Sequence, residues 1–192
     1  MNSNRLEAFS DGVLAIIITI MVLELKIPHG TDIEDITHLF PVFLSYVLSF
    51  IYIGIYWNNH HHMMHVVQKV NGSILWANLH LLFWLSLIPF ATGWMGENNF
   101  VELPMALYGI VLLMAAIAYF ILQNRILAIQ GKDSSLSKAV GKDFKGKASP
   151  ILYGIAIISA FYKPWIAAAL YVLVALMWLI PDKRIEKIYK EN

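Results

Sequence analysis

Six apolar stretches, separated by short polar breaks or by proline and glycine, run along the chain at about residues 5–26, 39–66, 73–96, 101–129, 148–162 and 164–181. A helix crosses about 30 Å of hydrocarbon with roughly 20 mostly apolar residues. The pattern therefore predicts an all-α, polytopic membrane protein, with six transmembrane helices in one domain spanning residues 1–192. Pro28 and the polar run His29–Asp35 end the first stretch, and the second extends as helix toward Val67. Asn71-Gly72 precedes the third stretch and Gly96-Glu97-Asn98-Asn99 follows it. Pro89 within it is tolerable where neighbouring helices satisfy the freed carbonyl. A polar linker, Gln130–Lys147, carries Gly131, Gly141, Gly146 and Ser134-Ser135, after which Pro150 is expected to open the fifth stretch. The tight Lys163-Pro164 turn predicts a hairpin of the last two helices. In the tail, Asp182–Asn192, charges alternate with Ile185, Ile188 and Tyr189, the pattern of a short interfacial helix.

Composition supports the lipid reading. Of 192 residues, 58% are hydrophobic and 14% charged, against about 45–50% and about 25% in a soluble domain. The net charge of +1 gives no electrostatic case for nucleic acid. Cysteine is absent, which excludes disulfides, thiolate catalysis and Cys-ligated metal. The first apolar stretch is too long for a cleavable signal and Glu7 and Asp11 sit at its start, so it is expected to be retained as a span. Lys and Arg set orientation. With the N-terminus inside, cytoplasmic segments hold 12 of the 14, leaving Lys26 and Lys163 outside. Both termini are therefore expected in the cytoplasm. The chain carries no Gly-rich phosphate loop ending in Lys, no His-Glu-x-x-His helix and no Gly-x-Ser-x-Gly elbow. Thr-x-Gly-Tyr-Gly, the carbonyl filter of conventional potassium channels, is missing too, as is an Arg-rich voltage sensor. No enzymatic activity and no cofactor are expected.

Candidate chemistry concentrates at the start of the first span, Arg5-Leu6-Glu7-Ala8-Phe9-Ser10-Asp11-Gly12. Ionisable residues at the edge of hydrocarbon face protein or a water-filled cavity, and Glu7 and Asp11, four apart, share a helix face. Ser10 or Asp11 could instead cap a helix beginning at Gly12, but that leaves about 14 residues before Lys26, too few to span. Beyond this point Ile16, Thr19 and Leu23 form one stripe. The stripe suits ordinary packing, with Thr19 bonded back to its own helix, or the lining of a narrow hydrophobic pore. His60-His61-His62-Met63-Met64-His65 ends the second span. His61 and His65, at i and i+4, could share a transition metal, but no carboxylate lies in the run and imidazoles also sit well in the interface. Trp57, three residues before His60, shares its face and is a natural interfacial anchor. Asn78, His80, Gln123 and Asn124 are polar residues within spans, the type that hydrogen-bonds between helices.

Arg5-x-x-x-Phe9-Ser10-Asp11, at the start of the first of six spans, resembles the signature of the transmembrane protein 175 family, bacterial and lysosomal potassium channels without a conventional filter. Ile16, Thr19 and Leu23 match the family's pore-facing positions, Trp57-x-x-His60 matches a Trp and His pair on its second helix, and Asn78-Leu79 and Pro89 fit its third. The resemblance implies a channel, passively conducting and modestly selective for K⁺ over Na⁺, with the first helix of each subunit lining the pore. Because this chain has one copy of the motif, it implies a homotetramer in a prokaryotic plasma membrane. Ile16 would be the tightest constriction, Thr19 a ring bearing on selectivity and Leu23 a further apolar layer. Arg5, Phe9, Ser10, Asp11, Trp57, His60 and Asn78 would form a structural network behind the pore. The His61-His62 and His65 extension departs from the family pattern and raises the question of pH or zinc sensitivity. A proton- or metal-coupled transporter using His80, Glu24 and the His60–His65 run is the alternative. A non-transporting protein is the third reading, for which no nucleophile and base can be named.

Overall fold

The apolar stretches fold as helices whose ends follow the prolines and capping residues between them. The structure is a computed structural model of the chain and describes residues 3–65, 67, 70–130 and 144–179. Among these, all regular structure is helical: α1 Ser3–Leu23, α2 Ile33–Thr37, α3 Phe40–His65, α4 Gly72–Ser86, α5 Ile88–Glu97, α6 Glu102–Gln130, α7 Phe144–Ala160 and α8 Pro164–Leu179. Four segments are long and apolar enough to cross a membrane: α1, α3, α4 with α5 (Gly72–Glu97), and α6. The remaining two of the expected six correspond to α7 and α8, which have 17 and 16 residues, about 25 Å each at 1.5 Å per residue. The expected interfacial helix at Asp182–Asn192 and residues 131–143 of the linker lie outside the described residues.

Several boundaries differ from the pattern, each for a local reason. α1 begins at Ser3, so neither Ser10 nor Asp11 is a cap. Leu6, Ser10, Leu14, Ile17 and Met21 form a continuous buried stripe that holds the helix from its first turns. The polar run after Pro28 contains α2, whose capping box has the Asp35 carboxylate accepting the Asp32 N–H at 3.1 Å. The third stretch is two helices. Pro89 has no N–H for the Leu85 carbonyl, and the chain tightens at Leu87, whose N–H reaches the Trp84 carbonyl at 3.2 Å. The fifth helix starts at Phe144 rather than at Pro150, which lies inside it. Ser149 donates to the Lys145 carbonyl and accepts from Trp178 Nε1 of α8, both at 2.8 Å, so side chains tie the turn that the proline interrupts.

α1 packs on α3, α4 and α5, α4 packs on α6, and the α7–α8 hairpin closes against α6 and α3. Buried hydroxyls stitch the centre. Ser49 meets Thr92 at 2.6 Å and Tyr108 at 3.0 Å, joining α3, α5 and α6. Tyr52 donates to the Tyr171 carbonyl at 2.6 Å, and Tyr171 donates to the Met105 carbonyl at 2.9 Å. Such groups have no water to fall back on in a bilayer, so each must find a protein partner. Close approach depends on two glycines. A Cβ at Gly109 would overlap the Tyr171 hydroxyl, and one at Gly96 would stand 2.7 Å from the Val42 Cα and closer still to Ser45 Oγ. At the far end of α1, exposed Lys26 and Glu97 pair at 2.5 Å, and Glu97 raises the Lys26 ammonium above its usual pKa. An exposed pair of this kind adds little stability.

Because backbone blocks the added methyl at Gly96, Gly96→Ala is expected to force α5 away from α3 and cost about 1–3 kcal/mol. Thermal unfolding of the purified protein measures it, and Gly12→Ala, whose added methyl meets nothing within 4 Å among the described residues, is the reference substitution.

Candidate functional site

The first helix has two faces of opposite fate. Leu14, Ile17 and Met21 are 2–3% exposed against the neighbouring helices, whereas Phe9, Ile16 and Leu23 are 53%, 61% and 76% exposed. Gly12, Thr19 and Ile20 lie on the same outward side. Lipid-facing apolar residues need no partner, but this outward stripe also carries a hydroxyl. Thr19 Oγ1 donates to the Ala15 carbonyl at 2.9 Å, which satisfies its proton within the helix. Its oxygen lone pairs remain on the exposed surface.

The buried face of α1 is fixed by a chain of hydrogen bonds whose direction can be worked out atom by atom. Ser10 Oγ donates to the Leu6 carbonyl at 2.9 Å, so toward its other neighbour it accepts. That neighbour is Asn78 of α4, whose amide nitrogen donates to Ser10 Oγ at 2.9 Å. The Asn78 carbonyl oxygen then faces His60 of α3, and His60 Nε2 donates to it at 2.7 Å. His60 is thereby fixed as the Nε2–H tautomer. Its Nδ1 is buried with no partner among the described residues, a position suited to an unprotonated nitrogen and not to a second N–H. All three side chains are at most 2% exposed.

A second, antiparallel pairing lies beside the first. Trp57 Nε1 donates to Asp11 Oδ1 at 3.1 Å, and His61 Nδ1 meets Glu7 Oε1 at 2.7 Å. Trp57 and His61 stack at 6.1 Å. Glu7 and Asp11 are four apart on α1, and Trp57 and His61 four apart on α3, so two i, i+4 pairs meet like rungs. The shared face of Glu7 and Asp11 was readable in the sequence. Their partners were not, although the matching spacing on the second helix is the signal that carries them. Trp57 and His60, expected on one face, serve different helices: Trp57 reaches α1 and His60 reaches α4.

The structure brings Ser10, Asp11, Trp57, His60 and Asn78 together, but not Arg5 and Phe9. Those two lie at i and i+4 on the exposed side of α1, rotated away from Ser10. His80 accepts from Trp84 Nε1 of its own helix at 3.0 Å. Glu24 lies near Gly93 of α5, fourteen residues along α1 from Ser10 and so roughly 21 Å away along the axis. His80, Glu24 and the His60–His65 run thus do not converge on a common transport site. Of the two other polar residues in spans, Gln123 is buried and Asn124 exposed.

Residues 5–89 match the family model described as endosomal/lysosomal potassium channel TMEM175. The match covers α1, α3 and α4, and with them every residue of the anchoring network. A potassium channel of Chryseobacterium sp. (strain P1-3) is 60% identical over 192 residues, 100% of both chains. The chain belongs to the TMEM175 family. A crystal structure of a lysosomal potassium-selective channel TMEM175 homolog from Chamaesiphon minutus superposes with a TM-score of 0.80, at 26% identity, over 94% of this chain and 97% of that one. The human endosomal/lysosomal proton channel TMEM175 is 30% identical over 103 residues, 47% of this chain and 20% of its own length. The segment matched by the family model holds the two-faced helix.

Replacing Asn78 with Leu leaves the His60 N–H without an acceptor and is expected to cost about 1–3 kcal/mol. Ser10→Ala, which removes one of the two Asn78 bonds, is expected to cost less. Thermal unfolding in detergent orders the two; equal stability of wild type and Asn78→Leu would remove the network from the account.

Proposed function

We propose that the chain is a potassium-selective cation channel that conducts passively through a homotetrameric pore lined by α1. The observation that carries this reading is the division of α1, with one face anchored by Ser10 and its partners and the other presenting Ile16, Thr19 and Leu23. The names of its relatives from Chryseobacterium and Chamaesiphon minutus, both potassium channels, support it. One helix encloses nothing, but four around a symmetry axis leave a lumen, and the outward stripe supplies its wall. In this arrangement α7 and α8 complete six spans, and the Arg5 end of α1 lies in the cytoplasm of a cell whose plasma membrane holds the channel, as the distribution of Lys and Arg favours.

Four Ile16 side chains form the tightest ring and a hydrophobic gate that closes by dewetting. Thr19 oxygens, one turn above, offer a ring of acceptors to an ion that has shed part of its water. K⁺ is less tightly hydrated than Na⁺, so a short apolar ring favours it modestly without a carbonyl filter. Leu23 forms a further apolar layer. No cofactor or catalytic group enters this mechanism.

In reconstituted liposomes or planar bilayers, Ile16→Asn is expected to raise K⁺ flux several-fold by wetting the constriction. Unchanged flux would take Ile16 out of the gate. Thr19→Ala, which removes the acceptor ring, is expected to shift the bi-ionic reversal potential toward equal K⁺ and Na⁺ permeability, and an unmoved potential would reassign selectivity to another layer.

A further inference from the structure

The carboxylate missing from the His60–His65 run is supplied by another helix. Glu7 of α1 reaches His61 of α3, and His65 stands one turn further along α3 with its ring 4.4 Å from that of His61. One ligand atom from each of the three residues can be taken such that all lie within 4.8 Å of one another. We propose that Glu7, His61 and His65 form a binding site for a divalent first-row transition-metal ion of the Zn²⁺ class, bridging the base of α1 to α3.

Donor chemistry selects this class. Two imidazoles and one carboxylate suit Zn²⁺ and its neighbours, whereas Mg²⁺ and Ca²⁺ take oxygen ligands. In a tetrahedral site with bonds of about 2.0–2.1 Å, ligand atoms stand roughly 3.4 Å apart. Small side-chain rotations reach this spacing from the present one, because both helices already hold the donors face to face. Glu7 and His61 are partly shielded, at 16% and 39% side-chain exposure, while His65 is exposed and leaves the fourth position open to water. The site also has a support. Trp57 stacks on the His61 ring while its indole N–H holds Asp11, the next carboxylate on the Glu7 face, so the ring and the helix carrying Glu7 are oriented by a common residue. Glu7 Oε1 and His61 Nδ1 are now joined by a hydrogen bond of 2.7 Å, and a metal held between them would take the place of its proton.

Occupancy would fasten α1 to α3 about two and a half turns below Ile16, beside the Glu7–His61 and Asp11–Trp57 hydrogen bonds. The inference rests on the α1–α3 geometry and does not require the channel reading.

The test is titration of the purified, detergent-solubilised full chain with ZnCl₂, followed by calorimetry and by thermal unfolding. The expected result is one saturable site per chain and a Zn²⁺-dependent rise in Tm reversed by chelator. Glu7→Gln, His61→Ala and His65→Ala should each weaken binding at least tenfold, while His29→Ala and His38→Ala, on the loop after α1, leave it unchanged. Exposed His65 is the variant least able to disturb folding, and its Tm without metal should equal that of the wild type. Absence of saturable binding, or binding that persists undiminished in both Glu7→Gln and His65→Ala, overturns the site. K⁺ flux of the same preparation, measured separately, reports on the channel reading whichever way the metal titration falls.

Discussion

A polar group buried in hydrocarbon must find a partner within the protein, and the position of α1 depends on how three helices meet that constraint. The Ser10 hydroxyl is committed to the Leu6 carbonyl, so it can only accept from Asn78, and Asn78 can then only accept from His60. Each donor is fixed by the one before it. A rotation of α1 by one residue would carry Ser10 out of reach and leave the Asn78 amide N–H unsatisfied, at a cost of about 1–3 kcal/mol. The chain therefore fixes the rotation of α1 more sharply than apolar packing does, because Leu, Ile and Met contacts tolerate modest slippage.

With that rotation set, the opposite face of α1 is determined without further instruction. Ile16, Thr19 and Leu23 turn outward together because Leu14, Ile17 and Met21 turn inward. The outward stripe is thus set by a buried network that does not touch it. The Glu7–His61 and Asp11–Trp57 rungs extend the hold on α1 toward its first turns, where the helix would otherwise fray. The remaining helices serve as a frame: hydroxyl contacts among Ser49, Thr92 and Tyr108, and the glycine at position 96, bring α3, α5 and α6 together, and α3 and α5 with α4 form the wall on which α1 rests.

Much of this was legible before any coordinates. Apolar run length gave the helices, and the shared face of Glu7 and Asp11 followed from their spacing. Prolines were read less well. Pro89 divides a stretch that reads as one span, and Pro150 sits inside a helix it was expected to open. Whether a proline ends a helix or sits within it depends on the packing around it, which periodicity does not encode. The grouping of Arg5 and Phe9 with Ser10 and Asp11 illustrates a second limit. Residues consecutive in a motif point to different sides of a helix, and only Ser10 and Asp11 meet the network.

By itself the sequence determined that the chain is helical and membrane-suited, that polar residues cluster at the base of its first helix, and which residues share each stripe. A period of 3.6 residues fixes those relationships because they are local to one helix. Tertiary structure decided which stripe meets protein and which stays open, that Glu7 finds a histidine and Asp11 a tryptophan, and in which direction each buried hydrogen bond runs. Those outcomes depend on partners 18 to 68 residues away in the chain, and no local pattern carries the geometry of a contact that packing alone creates.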